Sequence, residues 1–326
     1  GLTVHNFFDD KLKWNQLSYA GTIDGMKGVE SGTKETIRNI SFYGRLSYSY
    51  DSRYMLQATI RRDGSSVFGD GHQWGYFPSI SGAWNITEEK FMEGLKESLS
   101  LSNLKLRIGY GVSGNALGFG AYSAVATYGA NGTIISIGGK DYPTLVSTKL
   151  ANPDLKWEKT GMLNIGLDYA FFNGRLNGSI EYYNKVTKDL IWNYPVTSFL
   201  YPFSTISANV GEITNRGIEI SINAIPVQNK NFTWTTTLNL SHNKNKVNKL
   251  TNEKFSTASF TQGDPMVAGV SAEGYTQQIM EGEPLGTFFT YEFAGYDEDG
   301  TSVYYEHDAE TGARTGTTTK APKFKD

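Results

Sequence analysis

The chain has 326 residues, with Lys+Arg 30 against Asp+Glu 33, a net charge of −3 and Cys 0. These numbers exclude a disulfide framework and a thiolate metal site, and a chain without a basic excess is a poor candidate for nucleic-acid binding. No apolar run approaches the roughly 20 residues of a transmembrane helix, which leaves β-strand spans open, because a barrel strand gives half its residues to a polar lumen.

Residues 1–35, with Gly21, Gly25, Gly28 and Gly32, read as a weak strand and a long loop. Gly1-Leu2-Thr3-Val4-His5 has neither the charged nor the apolar region of a signal peptide, so the chain reads as a mature or internal piece. Strands follow at 36–50 and 54–62. Phe42, Gly44, Leu46, Tyr48 and Tyr50 take one parity and Ser41, Tyr43, Arg45, Ser47 and Ser49 the other. After the turn Asp51-Ser52-Arg53, Tyr54, Leu56, Ala58 and Ile60 alternate with Met55, Gln57, Thr59 and Arg61. Successive strand residues face opposite sides, so this hairpin has one apolar and one polar face. Aromatics crowd the apolar face beside the turn, as in transmembrane β-barrels.

The next strand is expected at 75–86, with Tyr76, Ile80, Gly82, Trp84 and Ile86 on the apolar parity and Phe77 breaking the pattern. Thr87-Glu88-Glu89-Lys90 reads as a helix start with Thr87 as N-cap. Strands at 102–112, 157–171 and 175–190 come next, the last two joined by Asn173-Gly174, a two-residue hairpin signal. Strands at 217–225, 231–243 and 286–296 complete the series. Short connections at Asp51–Arg53, Phe172–Gly174 and Pro226–Lys230 alternate with long ones near 62–74, 113–156, 184–208 and 244–285. Short turns on one side and long loops on the other characterise outer-membrane barrels. A soluble antiparallel sheet also alternates, apolar to the core and polar to solvent, but it has no reason to segregate its connections by length.

No catalytic motif stands out. His5, His72, His242 and His307 are scattered, without metal-ligand spacing. Asp297-Glu298-Asp299-Gly300 reads as an acidic turn rather than a calcium loop, which needs a terminal Glu in a 12-residue pattern. Gly109-Tyr110-Gly111-Val112-Ser113-Gly114 opens no helix, so it is no dinucleotide loop. The candidate ligand contacts are aromatics in the long connections: Trp192, Tyr194, Tyr201 and Phe203, and Tyr122, Tyr128 and Tyr142. They suit stacking on sugar rings, and loop packing is the competing reading. Arg45, Arg61, Lys105, Arg107, Asp168, Glu181 and Glu219 share the polar parity and are expected to form a polar wall, paired with one another or with a plug.

Several strings, in this order and spacing, resemble the SusC/RagA family of TonB-dependent outer-membrane transporters of Bacteroidetes. They include Tyr43-Gly44-Arg45-Leu46-Ser47-Tyr48-Ser49-Tyr50 and Ile60-Arg61-Arg62-Asp63-Gly64-Ser65-Ser66-Val67-Phe68-Gly69. Trp74-Gly75-Tyr76-Phe77-Pro78-Ser79, Leu104-Lys105-Leu106-Arg107-Ile108-Gly109-Tyr110-Gly111 and Asn152-Pro153-Asp154-Leu155-Lys156-Trp157-Glu158-Lys159-Thr160 follow, then Asn209-Val210-Gly211 and Asn215-Arg216-Gly217-Ile218-Glu219. The resemblance implies an all-β fold, part of a 22-stranded, plugged antiparallel barrel. It implies import of a large nutrient, an oligosaccharide before a peptide, with a SusD-like surface lipoprotein as lid. Energy would come from the TonB complex acting on an N-terminal plug, with the barrel in the outer membrane of a Gram-negative cell. No enzyme activity and no cofactor are implied. The strand candidates, about nine or ten, are too few to close such a barrel, so residues 1–326 are expected to form part of one barrel domain, without plug or closing strands. The alternative is a surface-exposed or soluble β-sheet protein that binds carbohydrate or serves in adhesion.

Overall fold

The computed structural model describes residues 2–4, 32–34, 36–116, 120–196, 205–252, 254, 257, 259–262, 277–308, 312–319 and 323–325. Strands β1 (Leu2–Val4), β2 (Gly32–Lys34), β3 (Asn39–Tyr50), β4 (Tyr54–Ser65) and β5 (Trp74–Asn85) lead into two 3-10 turns and the short helix α1 (Glu93–Leu99). Then come β6 (Leu101–Asn115), β7 (Thr127–Ile137), β8 (Lys140–Lys149), β9 (Glu158–Phe171), β10 (Leu176–Pro195), β11 (Thr205–Gln228) and β12 (Thr233–Lys249). The last are β13 (Ser259–Gln262), β14 (Gln277–Met280), β15 (Thr287–Tyr291), β16 (Phe293–Tyr296), β17 (Ser302–His307), β18 (Arg314–Thr318) and β19 (Lys323–Lys325). Eight of these strands share one sheet in the order β12-β11-β10-β9-β6-β5-β4-β3. Apart from the β7–β8 excursion, strands adjacent in sequence are adjacent in this sheet. The chain divides into two compact units, Gly1–Trp84 with Gly109–Gly161 and Asp189–Asn209, and Asn85–Ile108 with Met162–Lys188 and Val210–Asp326.

In the first unit, register makes the parity concrete. β3 and β4 are antiparallel, with Leu46 opposite Ala58, Tyr48 opposite Leu56 and Tyr50 opposite Tyr54. β5 extends the same face, with Ile80 opposite Ala58 and Trp84 opposite Tyr54. One contiguous face is therefore apolar, and its large side chains stand exposed except Trp84, which is half-buried. At the far end of this face the Arg62 guanidinium lies 4.2 Å over the Trp74 ring, and Phe42 stacks on Trp74 at 6.3 Å. The turn at 51–53 closes with Asp51 and Ser52 at φ 50° and 54° and an Arg53 N–H donating to the Tyr50 carbonyl at 3.0 Å.

The 113–156 connection is not irregular throughout. β6 runs to Asn115, and β7 and β8 form a hairpin within it. Its turn is Gly138-Gly139, at φ 60° and 78°. Two adjacent positive φ values are what a two-residue hairpin of this hand requires, and glycine supplies them without strain.

In the second unit, Thr87 is not a helix N-cap. It lies in a 3-10 turn before α1, and Met92 stands at the N-cap without a side-chain bond. Buried Thr87 instead donates its hydroxyl to Asn85 Oδ1 at 2.6 Å and accepts the Leu104 N–H at 3.4 Å. Helix α1 ends at Ser100 in the left-handed conformation, and the Ser100 carbonyl accepts the Phe172 N–H at 2.7 Å. The β9–β10 connection is longer than the expected two-residue turn. Phe172, Asn173 and Gly174 all have positive φ, and Arg175 completes it. The β11–β12 turn is set by Asn229, whose Oδ1 accepts the N–H groups of Asn231 and Phe232. Such side-chain capture of the backbone is what makes Asn a turn residue.

The strands also outrun their expected ends. β10 continues to Pro195 and β11 begins at Thr205, well inside the expected 184–208 loop. Asp189, at φ 55°, interrupts the alternation there and hides the continuation from a periodicity reading. β12 reaches Lys249 although, apart from buried Val247, its last turn-distal residues are polar on both faces. The expected strand at 286–296 is two strands parted at Glu292, and β17 and β18 follow it in a three-stranded sheet.

Candidate functional site

The polar wall of the second unit centres on Arg107. Its guanidinium donates through Nε and Nη2 to the two Asp168 carboxylate oxygens at 2.9 and 2.7 Å, and through Nη2 to Glu181 Oε1 at 2.8 Å. Asn164 Nδ2 approaches the other Glu181 oxygen at 3.4 Å. A planar guanidinium fits a carboxylate with two parallel bonds, which fixes the side chains as well as their charges. A polar cavity of about 340 Å³ lies beside this group, lined by Asn103, Asp168, Asn177, Ser179, Ser221 and Asn223 among others. Glu219 faces Ser241 in the β11–β12 register and lines a second cavity with Glu181. In the first unit Arg61 donates to Asp63 Oδ1 at 2.7 Å and to Ser41 at 3.3 Å, while Arg45 stands opposite Thr59. Of the expected wall, Arg107, Asp168 and Glu181 come together, and Arg61 finds a partner that charge parity did not single out.

The polar face of the first unit also carries an apolar knot. Val67, Phe68, Phe77, Ala124, Leu155 and Trp157 are buried together, with Val112, Ala116 and Ile191 against them. Phe77 breaks the strand pattern because it points to this knot rather than to the apolar face. Its ring meets Trp157 edge-on at 5.3 Å, and Phe68 packs on Trp157 at 4.8 Å. Gly114 is obligatory beneath it, since a Cβ there would lie 2.1 Å from Phe77 Cζ. Polar bonds lock the rim. Trp157 Nε1 donates to the Gln73 carbonyl at 2.9 Å. Asn152 Nδ2 donates to the Ser207 carbonyl at 2.7 Å. Asn209 accepts the Lys156 N–H through Oδ1 and donates through Nδ2 to the carbonyls of Lys156 and Asp189. Lys156 pairs with Asp189 at 2.9 Å. Four of the strings quoted above, at 60–69, 74–79, 152–160 and 209–211, contribute to this knot.

The aromatic candidates scatter. Trp192 and Tyr194 lie on β10 rather than in a loop. Trp192 is 39% exposed, whereas Tyr194 is 2% exposed, so its ring has no face open to a ligand. That corrects its reading as a loop contact: the strand continues past Asp189 and carries Tyr194 into packed surroundings. Tyr122 is exposed in a turn. Tyr201 and Phe203 fall outside the described residues, as do the side chains of Tyr128 and Tyr142. A cavity of about 600 Å³ with Lys149 and Trp192 in its lining escaped the sequence reading, because β8 was not foreseen. Asp297 Oδ1 accepts the N–H groups of Asp299 and Thr301, which accounts for the acidic turn.

The family profile described as "TonB dependent receptor-like, beta-barrel" matches residues 1–324. The chain belongs to that family. Among curated relatives, TonB-dependent receptor P39 of Formosa agariphila is 39% identical over 272 residues, covering 82% of this chain and 24% of that protein. TonB-dependent receptor SusC of Bacteroides thetaiotaomicron is 35% identical over 272 residues, covering 83% of this chain and 26% of that protein. A solved RagAB peptide transporter superposes with a TM-score of 0.75 at 25% identity, covering 98% of this chain and 33% of that one. The chain thus spans about a quarter of the length of the curated relatives it matches. The SusC/RagA resemblance holds, and the fold class is an antiparallel outer-membrane β-barrel, present here in part. In outer-membrane barrels the lipid side of a strand is apolar and the lumen side polar, and the face of β3, β4 and β5 that carries Tyr48, Leu56 and Ile80 has the apolar character of the former.

Proposed function

We propose that this barrel wall serves a transporter that imports a large nutrient across the outer membrane, an oligosaccharide before a peptide, powered by the TonB complex. The carrying observation is the family match over residues 1–324 on a sheet with one lipid-type face and one charge-paired polar face. The relative named SusC and the RagAB neighbours support the SusC/RagA type. They also support a SusD-like lipoprotein as lid. The small neutral side chains Asn177, Ser179, Ser221 and Asn223 on the polar face suit hydroxyl-rich cargo, since amides and hydroxyls both donate and accept. The cargo passes chemically unchanged.

The test is uptake by cells carrying or lacking the full-length protein, with labelled oligosaccharides and labelled peptides, with and without a protonophore. Energy-dependent oligosaccharide uptake that disappears with the gene, and cargo of unchanged mass inside the cell, are expected. Uptake of peptides alone would replace the cargo class. Equal uptake with and without the gene for both classes would end the import reading.

A further inference from the structure

The first unit holds a cavity of about 600 Å³ whose lining includes Ser123, Lys149, Trp192, Asn193 and Ser207. That volume lies within the roughly 300–1,000 Å³ of small-molecule sites. Gly120, Ser123 and Lys149 come from the β6–β9 connection, and Trp192, Asn193 and Ser207 from the ends of β10 and β11 next to their own connection. Long connections of this kind face outward from the cell in outer-membrane barrels. Lys149 is half-buried, at the end of β8. Burial pushes its ammonium pKa down, and no acidic neighbour among the described residues offsets that cost. A partly desolvated cation without a counter-charge is costly to keep, so an anion that enters the cavity gains what the protein does not supply.

The other lining groups select the anion's carrier. Trp192 offers an indole, 39% exposed, on which a flat sugar face can stack. Ser207 donates its hydroxyl to Asn193 Oδ1 at 2.9 Å, which keeps the Asn193 NH2 group for another acceptor. Ser123 donates to the Gly120 carbonyl at 3.0 Å and retains acceptor capacity. Among the described lining residues this is a neutral hydrogen-bonding set around a single cation. An extended peptide would be held by an unpaired strand edge and alternating side-chain pockets instead.

We propose that this cavity binds an acidic sugar unit of the cargo, a uronate or a sulfate ester, with Lys149 facing the anion and Trp192 against the ring. The assignment rests on the import reading above and narrows its substrate class to anionic glycans.

The experiment uses the full-length protein purified in detergent, titrated calorimetrically with two probe pairs: oligogalacturonate against its methyl ester, and a sulfated galactan oligosaccharide against its desulfated form. At least one acidic probe is expected to bind about tenfold tighter than its neutral partner, the worth of one charged hydrogen bond. Lys149→Gln should abolish that preference while neutral binding changes by less than about twofold, and Lys149→Arg should retain it. Trp192→Ala should weaken both members of the preferred pair. Equal binding within both pairs, or a preference that survives Lys149→Gln, overturns the assignment. So does an Asp-rich peptide that binds in a Lys149-dependent way where no oligosaccharide does. The two readings fail separately. Gene-dependent oligosaccharide uptake that ignores charge and Lys149 removes only the acidic-sugar assignment, whereas absence of any gene-dependent uptake removes the import reading itself.

Discussion

The indole N–H of Trp157 donates to the main-chain carbonyl of Gln73 at 2.9 Å, joining segments 84 residues apart in sequence. Trp157 is 7% exposed and sits between Phe68 and Phe77. Trp157→Phe keeps most of the ring contact and leaves the carbonyl with the Ser65 N–H at 3.0 Å as its remaining donor, at a cost of about 0.5–1.5 kcal/mol. Trp157→Ala adds a cavity and should cost about 3–5 kcal/mol. Limited proteolysis of the full-length protein in detergent reads the effect, with faster cleavage in segment 66–73 for both variants and fastest for Ala. Unchanged cleavage would mean that the knot holds this connection without Trp157.

Gly69 donates its N–H to the Leu155 carbonyl at 3.0 Å, and a Cβ there would lie 1.7 Å from the Pro153 carbonyl oxygen. Backbone cannot yield as a flexible side chain can. Gly69→Ala should therefore destabilise by about 2 kcal/mol or more. Gly71, whose added Cβ would meet nothing, has φ 80° and should tolerate Asn better than Val. Thermal unfolding of Gly69→Ala, Gly71→Asn and Gly71→Val gives the comparison.

Arg107 neutralises two carboxylates at once. Arg107→Gln leaves Asp168 and Glu181 facing each other without a cation, and with the group about a third exposed the loss should be about 1–2 kcal/mol. Adding Asp168→Asn should recover part of it, so that the two changes are non-additive in a double-mutant cycle. Strict additivity would show that the pair contributes nothing beyond its single residues.

The register of β3, β4 and β5 separates an apolar from a polar face one residue at a time, and the barrel reading expects the first to meet lipid. Leu56→Arg places a cation in the hydrocarbon and should cost about 2–4 kcal/mol if it lies near the midplane. Gln57→Arg, on the opposite face, should change stability by about 0.5 kcal/mol or less. Urea unfolding in lipid vesicles discriminates the two, and equal costs would contradict the assigned faces.

Burial lowers the Lys149 pKa, so its ammonium is present below that lowered value and is lost as pH rises through it. Anion binding at the cavity should therefore decline on the alkaline side earlier than an ordinary lysine would permit. Lys149→Arg should carry the binding to higher pH, because guanidinium does not titrate in this range. Affinity of the acidic probe against pH for the two proteins is the measurement.

The lipid-facing parity was legible in the sequence because alternation reports which face a residue takes without needing its partners. Tyr48, Leu56 and Ile80 could be placed that way, and β3–β4 pairs in the register that their parity requires. The fold of the connections was less legible. β7 and β8 are short on alternation, and the Gly138-Gly139 turn that joins them is a signal that a Gly-rich neighbourhood disguises. Phe77 looked like an error in a pattern because its partners, Phe68 and Trp157, are supplied by distant segments. The charge pairs divided along the same line: Arg107 with Asp168 and Glu181 follows from parity plus strand adjacency, whereas Lys149 acquires interest only through a cavity built by segments that the sequence does not bring together.

The knot around Trp157 also bears on how such a barrel can diversify. It binds parts of 66–74, 121–124, 152–157 and 189–209 into one packed body through Gly69, Asn152, Asn209 and their partners. A transplanted outer connection would have to reproduce every anchor at once, so wholesale loop exchange between relatives should fail more often than insertion at the Gly138-Gly139 tip. Variation in what the barrel accepts would then accumulate at hairpin tips, while the anchors beneath them stay fixed.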